Sequence, residues 1–249
     1  MLNTLNGFAT ACCRACGEPT GGKKMSFLRV YGRWIILTIL VSAVLFGTAG
    51  RWDLPMFWAF VVAHSGSHLA LTLIVFRRNL DLLKERQRPG EGAKRWDRVL
   101  LSIYIVPAMA IFVVAGLDVG RSHWCDTVPL WLQVVGLAVF VIAFAFDIWA
   151  IAVNNFYSRV VRIQKDRGHH VITAGPYRFV RHPSYVGSIV SWVCTALALG
   201  SWWALLPAAL VALVFIVRTS LEDRTLHDEL EGYAEYARQV RYRLVPGVW

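Results

Sequence analysis

Charge is distributed along this chain in blocks, and that pattern limits what it can fold into more than any other feature. Segments 34–49, 54–76, 99–117 and 128–153 carry one Asp, Glu, Lys or Arg among them, Asp147. Runs of this length and composition read as membrane-crossing helices, which need roughly 17–25 apolar residues each. Two shorter apolar segments follow, 185–199 and 202–217, joined by Gly200-Ser201. Each is near or below that minimum, so the pair reads as a helical hairpin that just crosses or that tilts and re-enters. Of the residues, 56% are hydrophobic and 17% charged, too little polar surface for a soluble domain of 249 residues. The expected fold is an all-α polytopic integral membrane protein. It has about five to six transmembrane segments and a C-terminal amphipathic cytosolic helix. Three divisions follow: a polar tail over 1–29, a membrane domain of four helices over 30–153, and a C-terminal segment over 154–249.

The cations orient this bundle. Of 26 Lys and Arg residues, all but Arg51 and Arg121 fall at the N-terminus, between spans two and three, between spans four and five, or after 217. By the positive-inside rule both termini and both long loops are cytoplasmic. The net charge of +10 is accounted for by these loops and the anionic headgroups they meet, so no nucleic-acid partner is expected. Cys12-Cys13-Arg14-Ala15-Cys16 has no apolar core and is not a signal peptide. It reads as a polar tail, because one Cys13-x-x-Cys16 pair without a second ligand pair makes a poor zinc site. Cys125 and Cys194 imply no disulfide framework. The polar loop 77–98 reads as a connector touching headgroups, with no catalytic role.

Polar chemistry concentrates in 169–187, His-His-Val-Ile-Thr-Ala-Gly-Pro-Tyr-Arg-Phe-Val-Arg-His-Pro-Ser-Tyr-Val-Gly. His182 precedes a proline and is biased away from helix, whereas Pro183 suits the first turn of a new helix. Arg181 and His182 therefore stand at the mouth of the fifth membrane helix, where free N–H groups favour an anion. Tyr185 lies about one turn inside. Arg218 and Glu222, four apart, share a helix face at the cytosolic end of the sixth segment. The carboxylate there suits hydroxyls or a cation, and the guanidinium grips a carboxylate. The ordinary alternative is a snorkelling Arg beside a surface Glu. Beyond them Leu226, Leu230, Tyr233, Ala237 and Val240 recur at helical spacing, predicting one continued amphipathic helix. The end, Tyr242-Arg243-Leu244-Val245-Pro246-Gly247, reads as a turn-ended tail packing back on the domain.

The combination His-(x5)-Gly-x-Tyr-(x3)-Arg-His-Pro-x-Tyr-x-Gly, then Arg218, Glu222-Asp223-x-x-Leu226, Tyr233-x-x-Tyr236 and the Tyr-Arg-x-x-Pro-Gly end, resembles the isoprenylcysteine carboxyl methyltransferase family. That family sits in a wider group of integral membrane methyltransferases including phospholipid methyltransferases. The resemblance covers about 95 residues, from Asn155 onward. It implies S-adenosylmethionine bound at the cytosolic membrane face and a lipophilic or lipidated acceptor arriving through the bilayer. By motif position, His169, Val171, Tyr177, Arg181, His182, Pro183, Tyr185 and Glu222 would contact the cofactor. Arg218 would lie nearest the acceptor, with Glu222 beside it. Carboxylate O-methylation is the first expectation, lipid amine or thiol methylation the second. Asp223 departs from the Glu that many members carry, which argues against a direct role for it.

No Gly-x-Gly-x-x-Gly follows a strand, which sets aside a soluble Rossmann-type enzyme. Transfer from a sulfonium has its leaving group built in, so positioning and desolvation matter more than an acid–base pair. Three rivals remain. His64 and His68, with Asp147, suggest a di-iron oxygenase, but seven histidines are too few and no metal is expected. Interhelical hydrogen bonds or a cavity lining fit His64, Ser65, Ser67 and His68 better, with Gly66 permitting close packing. A sterol-type reductase ends in a similar tail but carries an Asn-Tyr-x-Gly-Asp pattern, replaced here by Pro183-Ser184-Tyr185-Val186-Gly187-Ser188. A membrane scaffold would have no reason to gather these polar groups at one edge.

Overall fold

A computed structural model describes residues 27–78, 92–124 and 127–249. The Cys12–Cys16 cluster, Cys125 and most of the 77–98 loop lie outside these residues. Helices α1 (Phe27–Ala49), α2 (Pro55–Arg78), α3 (Arg95–Leu117, extended by a π-turn over Asp118–Ser122) and α4 (Leu130–Val153) are followed by α5 (Pro183–Ala198), α6 (Leu205–Glu229) and α7 (Tyr233–Gln239). No strand occurs among the described residues. Five helices are long and apolar enough to cross a bilayer: α1, α2, α3, α4 and α6. The protein is a polytopic all-α membrane protein.

The sixth segment is long enough to cross, which its apolar run alone left open: the helix continues through the charged residues after 217, as expected, and runs 25 residues to Glu229. Buried partners for Arg218 and Asp223 remove the penalty that ended the apolar run in the sequence. The fifth segment is short, 16 residues, or about 24 Å at the α-helical rise.

Small residues set the helix spacing. α4 and α5 form the most extensive helix pair. A Cβ at Gly187 would lie 2.7 Å from the Ala143 carbonyl oxygen and 3.0 Å from the Asp147 Cβ. Between α1 and α3, a Cβ at Gly116 would lie 2.0 Å from the Thr48 Oγ1. Gly66, expected to do this work, is exposed with nothing within 4 Å. Its neighbour Ser65 does bond between helices: its Oγ pairs with Thr38 Oγ1 at 3.1 Å and its carbonyl accepts from Trp34 Nε1 at 2.9 Å. Large side chains, among them Phe46, Phe60, Phe112, Phe140 and Ile151, fill the core between the helices.

The continued amphipathic helix is also corrected. α6 ends at Glu229, and Gly232 takes a left-handed conformation at φ +80° before α7 begins. A residue with a Cβ adopts that conformation at a penalty. The apolar face survives the break, because Leu230, Tyr233 and Tyr236 are buried together against Leu226, Ala237, Val240 and Val171.

Candidate active site

The chain between α4 and α5 forms one wall of the site. Asn154 caps α4, its Oδ1 accepting the Phe156 N–H at 2.9 Å and its Nδ2 donating to the Tyr177 hydroxyl at 3.0 Å. Gly168 turns the chain at φ +64°, and the following His169 accepts the Gln164 N–H on Nδ1 at 3.3 Å. Its ring lies 4.6 Å from that of Phe156. Gly175-Pro176 opens a 3₁₀ turn that buries Tyr177. α5 starts at Pro183, with His182 as the non-helical residue before it. Arg181 and His182 donate their backbone N–H groups to Tyr242 and Arg243 carbonyls, both at 3.0 Å. The terminal tail thus packs back on the helix mouth.

Asp223 is the hub of this corner. Arg181 grips it at 2.7 and 3.1 Å, Arg243 at 2.8 Å, the Tyr233 hydroxyl at 2.9 Å and His182 Nε2 at 3.3 Å. Its side chain is 1% exposed. Four partners repay the desolvation of a buried carboxylate, which one would not. Arg181 spends its remaining Nη1 on the Val240 and Arg241 carbonyls at 2.8 and 2.7 Å. Asp223 therefore ties α6, α7, the α5 mouth and the tail into one body.

Above this hub opens a cleft with about 780 Å³ of unfilled space, mouth included. His169, Val171 and Tyr177 line it from the loop, Arg181, His182 and Tyr185 from the α5 mouth, and Arg218 and Glu222 from α6. Pro183 is buried at the first position of α5 and is not among the lining residues. The His182 and Tyr185 rings lie parallel within 4° at 5.8 Å. Tyr185 donates its hydroxyl to the Glu222 carboxylate, and the Arg218 guanidinium carbon sits 5.3 Å from the Tyr185 ring centre.

Arg218 neither snorkels nor pairs with Glu222. It is 7% exposed and is held by Asp97, Nε to Oδ1 at 2.7 Å and Nη2 to Oδ2 at 3.3 Å, with Nη2 also on the Arg159 carbonyl at 2.9 Å. Asp97 is fully buried and accepts the Val161 N–H at 2.7 Å. It sits in the first turn of α3, at the end of the connector read as having no catalytic role. A carboxylate one turn into an apolar helix was a signal for it. Its pairing with Arg218, 121 residues away, had none. The weight carried by Asp223 was likewise unforeseen, since its five contacts come from three distant segments.

Burial and the neighbouring His170, Arg162 and Arg167 push the His169 imidazole down to about 4, so it is neutral at physiological pH. Burial raises the Tyr177 and Tyr233 phenols, which stay protonated; the Tyr177 hydroxyl accepts from Asn154 and the Tyr233 hydroxyl donates to Asp223. The cleft thus offers aromatic walls, a carboxylate fixed by a tyrosine, and a guanidinium fixed by a buried aspartate. That set can hold a cation and hydroxyl groups beside an oriented anion. No group of three or more potential metal ligands occurs among the described residues.

Known proteins are similar to this chain over part of its length. The family model of phospholipid methyltransferases matches residues 131–230. The protein-S-isoprenylcysteine O-methyltransferase B of Arabidopsis thaliana is 24% identical over 128 residues, 48% of this chain and 59% of that protein. The cobalt-zinc-cadmium resistance protein CzcN of Cupriavidus metallidurans is 31% identical over 136 residues, 51% of this chain and 56% of that protein. The chain thus spans little more than half the length of these curated relatives. In fold it is similar to the eukaryotic intramembrane Ras methyltransferase, isoprenylcysteine carboxyl methyltransferase. The TM-score is 0.64 at 18% identity, covering 90% of this chain and 78% of that one. The family model, the Arabidopsis relative and the fold point the same way as the motifs read at the cleft: the chain resembles integral membrane methyltransferases of the isoprenylcysteine carboxyl methyltransferase-like kind.

Proposed function

We propose that this protein transfers a methyl group from S-adenosylmethionine to a lipophilic acceptor that enters from the membrane. The first choice of acceptor is a carboxylate, carried as in an isoprenylcysteine. The observation that carries this reading is the cleft itself, where the tyrosine-held Glu222 and the aspartate-held Arg218 stand one helical turn apart on the same wall.

When bound, S-adenosylmethionine supplies a methyl group on a positively charged sulfur that departs as a neutral thioether. The residues present fit such a ligand. Phe156, Tyr177 and Tyr185 give aromatic faces for a cation and a base, and Glu222 accepts from hydroxyls while opposing positive charge. His169, Val171 and His182 complete the walls. Arg181, whose guanidinium is engaged by the protein, acts by holding the α5 mouth in place, and Pro183 acts by fixing where α5 starts. Arg218 orients the acceptor's anion, and Asp97 fixes the guanidinium plane so that little motion is needed during reaction. The cleft and both termini face the cytosol in this reading, supported by 24 of 26 cations lying on that side.

A lipid amine is the second reading, favoured by the phospholipid methyltransferase family model. Calorimetric titration of S-adenosylmethionine and NADPH into the detergent-purified protein, with Glu222→Gln as comparison, tests the cofactor. Saturable binding of the former, weakened in the variant, is expected; binding of NADPH instead sinks the reading. Methyl incorporation into N-acetyl-S-farnesylcysteine against phosphatidylethanolamine then separates carboxylate from amine.

A further inference from the structure

A second cavity lies within the helix bundle, with about 680 Å³ of unfilled space. Its walls come from α2, α3, α4, α5 and α6, and it shares Tyr157 with the first cleft. Phe215, on its wall, lies 5.4 Å ring to ring from Tyr185 of the first cleft. The two spaces are therefore neighbours, one facing the cofactor groups and the other lying among membrane helices.

The lining is not that of a hydrocarbon tunnel. His64, on α2, is 8% exposed, and its ring neighbours are Phe60, Phe112, Phe140 and His68, at 4.6 to 6.4 Å. Among the described residues it makes no hydrogen bond. Across the cavity on α5, Ser191 is 7% exposed, and its buried Oγ has no partner. The Ser191 hydroxyl is thus buried without a partner between apolar helices, and the His64 imidazole faces the same cavity. Ionisable groups so placed mark ligand paths.

We infer that this cavity binds the apolar body of the methyl acceptor and that this body carries a hydroxyl group, received by His64 and Ser191. A hydroxyl both donates and accepts, matching a neutral imidazole with one nitrogen of each kind and a serine Oγ. A plain isoprenoid tail would leave both groups unsatisfied. Aromatic walls from Phe140, Phe144 and Trp192 supply the remaining apolar surface. The assignment rests on the methyltransferase reading, because it takes the cavity's occupant to be the acceptor.

The test compares binding of radiolabelled farnesol and of the matching hydrocarbon without the hydroxyl to the protein in nanodiscs, with empty nanodiscs subtracted. The alcohol binds the wild type about tenfold more tightly, the worth of one net hydrogen bond, and His64→Leu and Ser191→Ala each reduce that preference. Equal binding of the two probes, or a preference surviving in both variants, overturns the assignment. S-adenosylmethionine titrated into the same nanodiscs reports on the methyltransferase reading separately: loss of that binding sinks the reading, whereas the probe comparison alone judges the hydroxyl site.

Discussion

At the scale of single residues, the site rests on two buried carboxylates, each holding a cation in place. Removing Arg218 leaves Asp97 charged and fully enclosed, so Arg218→Ala is expected to lower stability by about 3–5 kcal/mol. The double variant Asp97→Ala/Arg218→Ala should recover part of that loss, giving a coupling energy in a double-mutant cycle measured by chemical denaturation. Additive losses would mean that the pair is not one unit. Asp97→Asn keeps the shape while releasing the guanidinium plane. In methyl-transfer assays it should lower kcat more than it weakens S-adenosylmethionine binding. His169 provides a pH signature. Its folded-state value of about 4 lies below the ordinary value near 6.5. The unfolded chain therefore binds more protons between these limits, and stability falls as pH drops through that window. The hydrogen-exchange protection factors of residues 156–172, which are corrected for the intrinsic pH dependence of exchange, should fall from about pH 6.5 down to 4 in the wild type. A flat profile in His169→Gln identifies the group.

At the scale of elements, close helix approach and a single carboxylate hub hold the site in register. Gly187→Val would drive a side chain into the Ala143 carbonyl, 2.7 Å from where a Cβ would stand. The expected loss is about 1–3 kcal/mol, read as a lower melting temperature with weakened cofactor binding, because α5 carries His182 and Tyr185. Asp223→Asn should loosen the terminal tail, exposing the bonds after Arg241 and Arg243 to trypsin faster than in the wild type. Unchanged cleavage would mean that the tail is held by Trp249 and its backbone contacts alone. The helices and the α5 start were legible in the sequence, since apolar length and a His-Pro junction are local signals. The break at Gly232 was not, because the apolar repeat runs unchanged from Leu226 to Val240 across it. The burial of Arg218 and Asp223 within α6 was hidden for a different reason: charged residues look like solvent-facing ones until their partners are seen.

At the scale of the whole molecule, the bundle has one polar end, where α4 and α6 finish, α3 and α5 begin and the tail returns. The proposed orientation predicts that a cysteine at Val248, in a background cleared of native cysteines, is labelled by an impermeant maleimide only from the cytosolic side. A cysteine at Trp124 should react only from the opposite side. The reverse pattern would invert the topology and place the cleft away from the cytosol.

The sequence by itself determined that this is a helical membrane protein and which motif gathers at the α5 mouth, and it narrowed the crossing helices to about five or six. These properties follow from local composition and from the backbone's need for internal hydrogen bonds in lipid. It also named eight of the residues that line the cleft. Only the tertiary structure decided what each of them touches. Asp97 reaches Arg218 across 121 residues and Arg181 reaches Asp223 across 42, and no periodicity records a contact between helices. A cavity lining was one of the sequence readings for His64 and His68, and both do line the neighbouring cavity; the unpartnered Ser191 was out of reach, since such a group is defined by the partners that packing fails to bring.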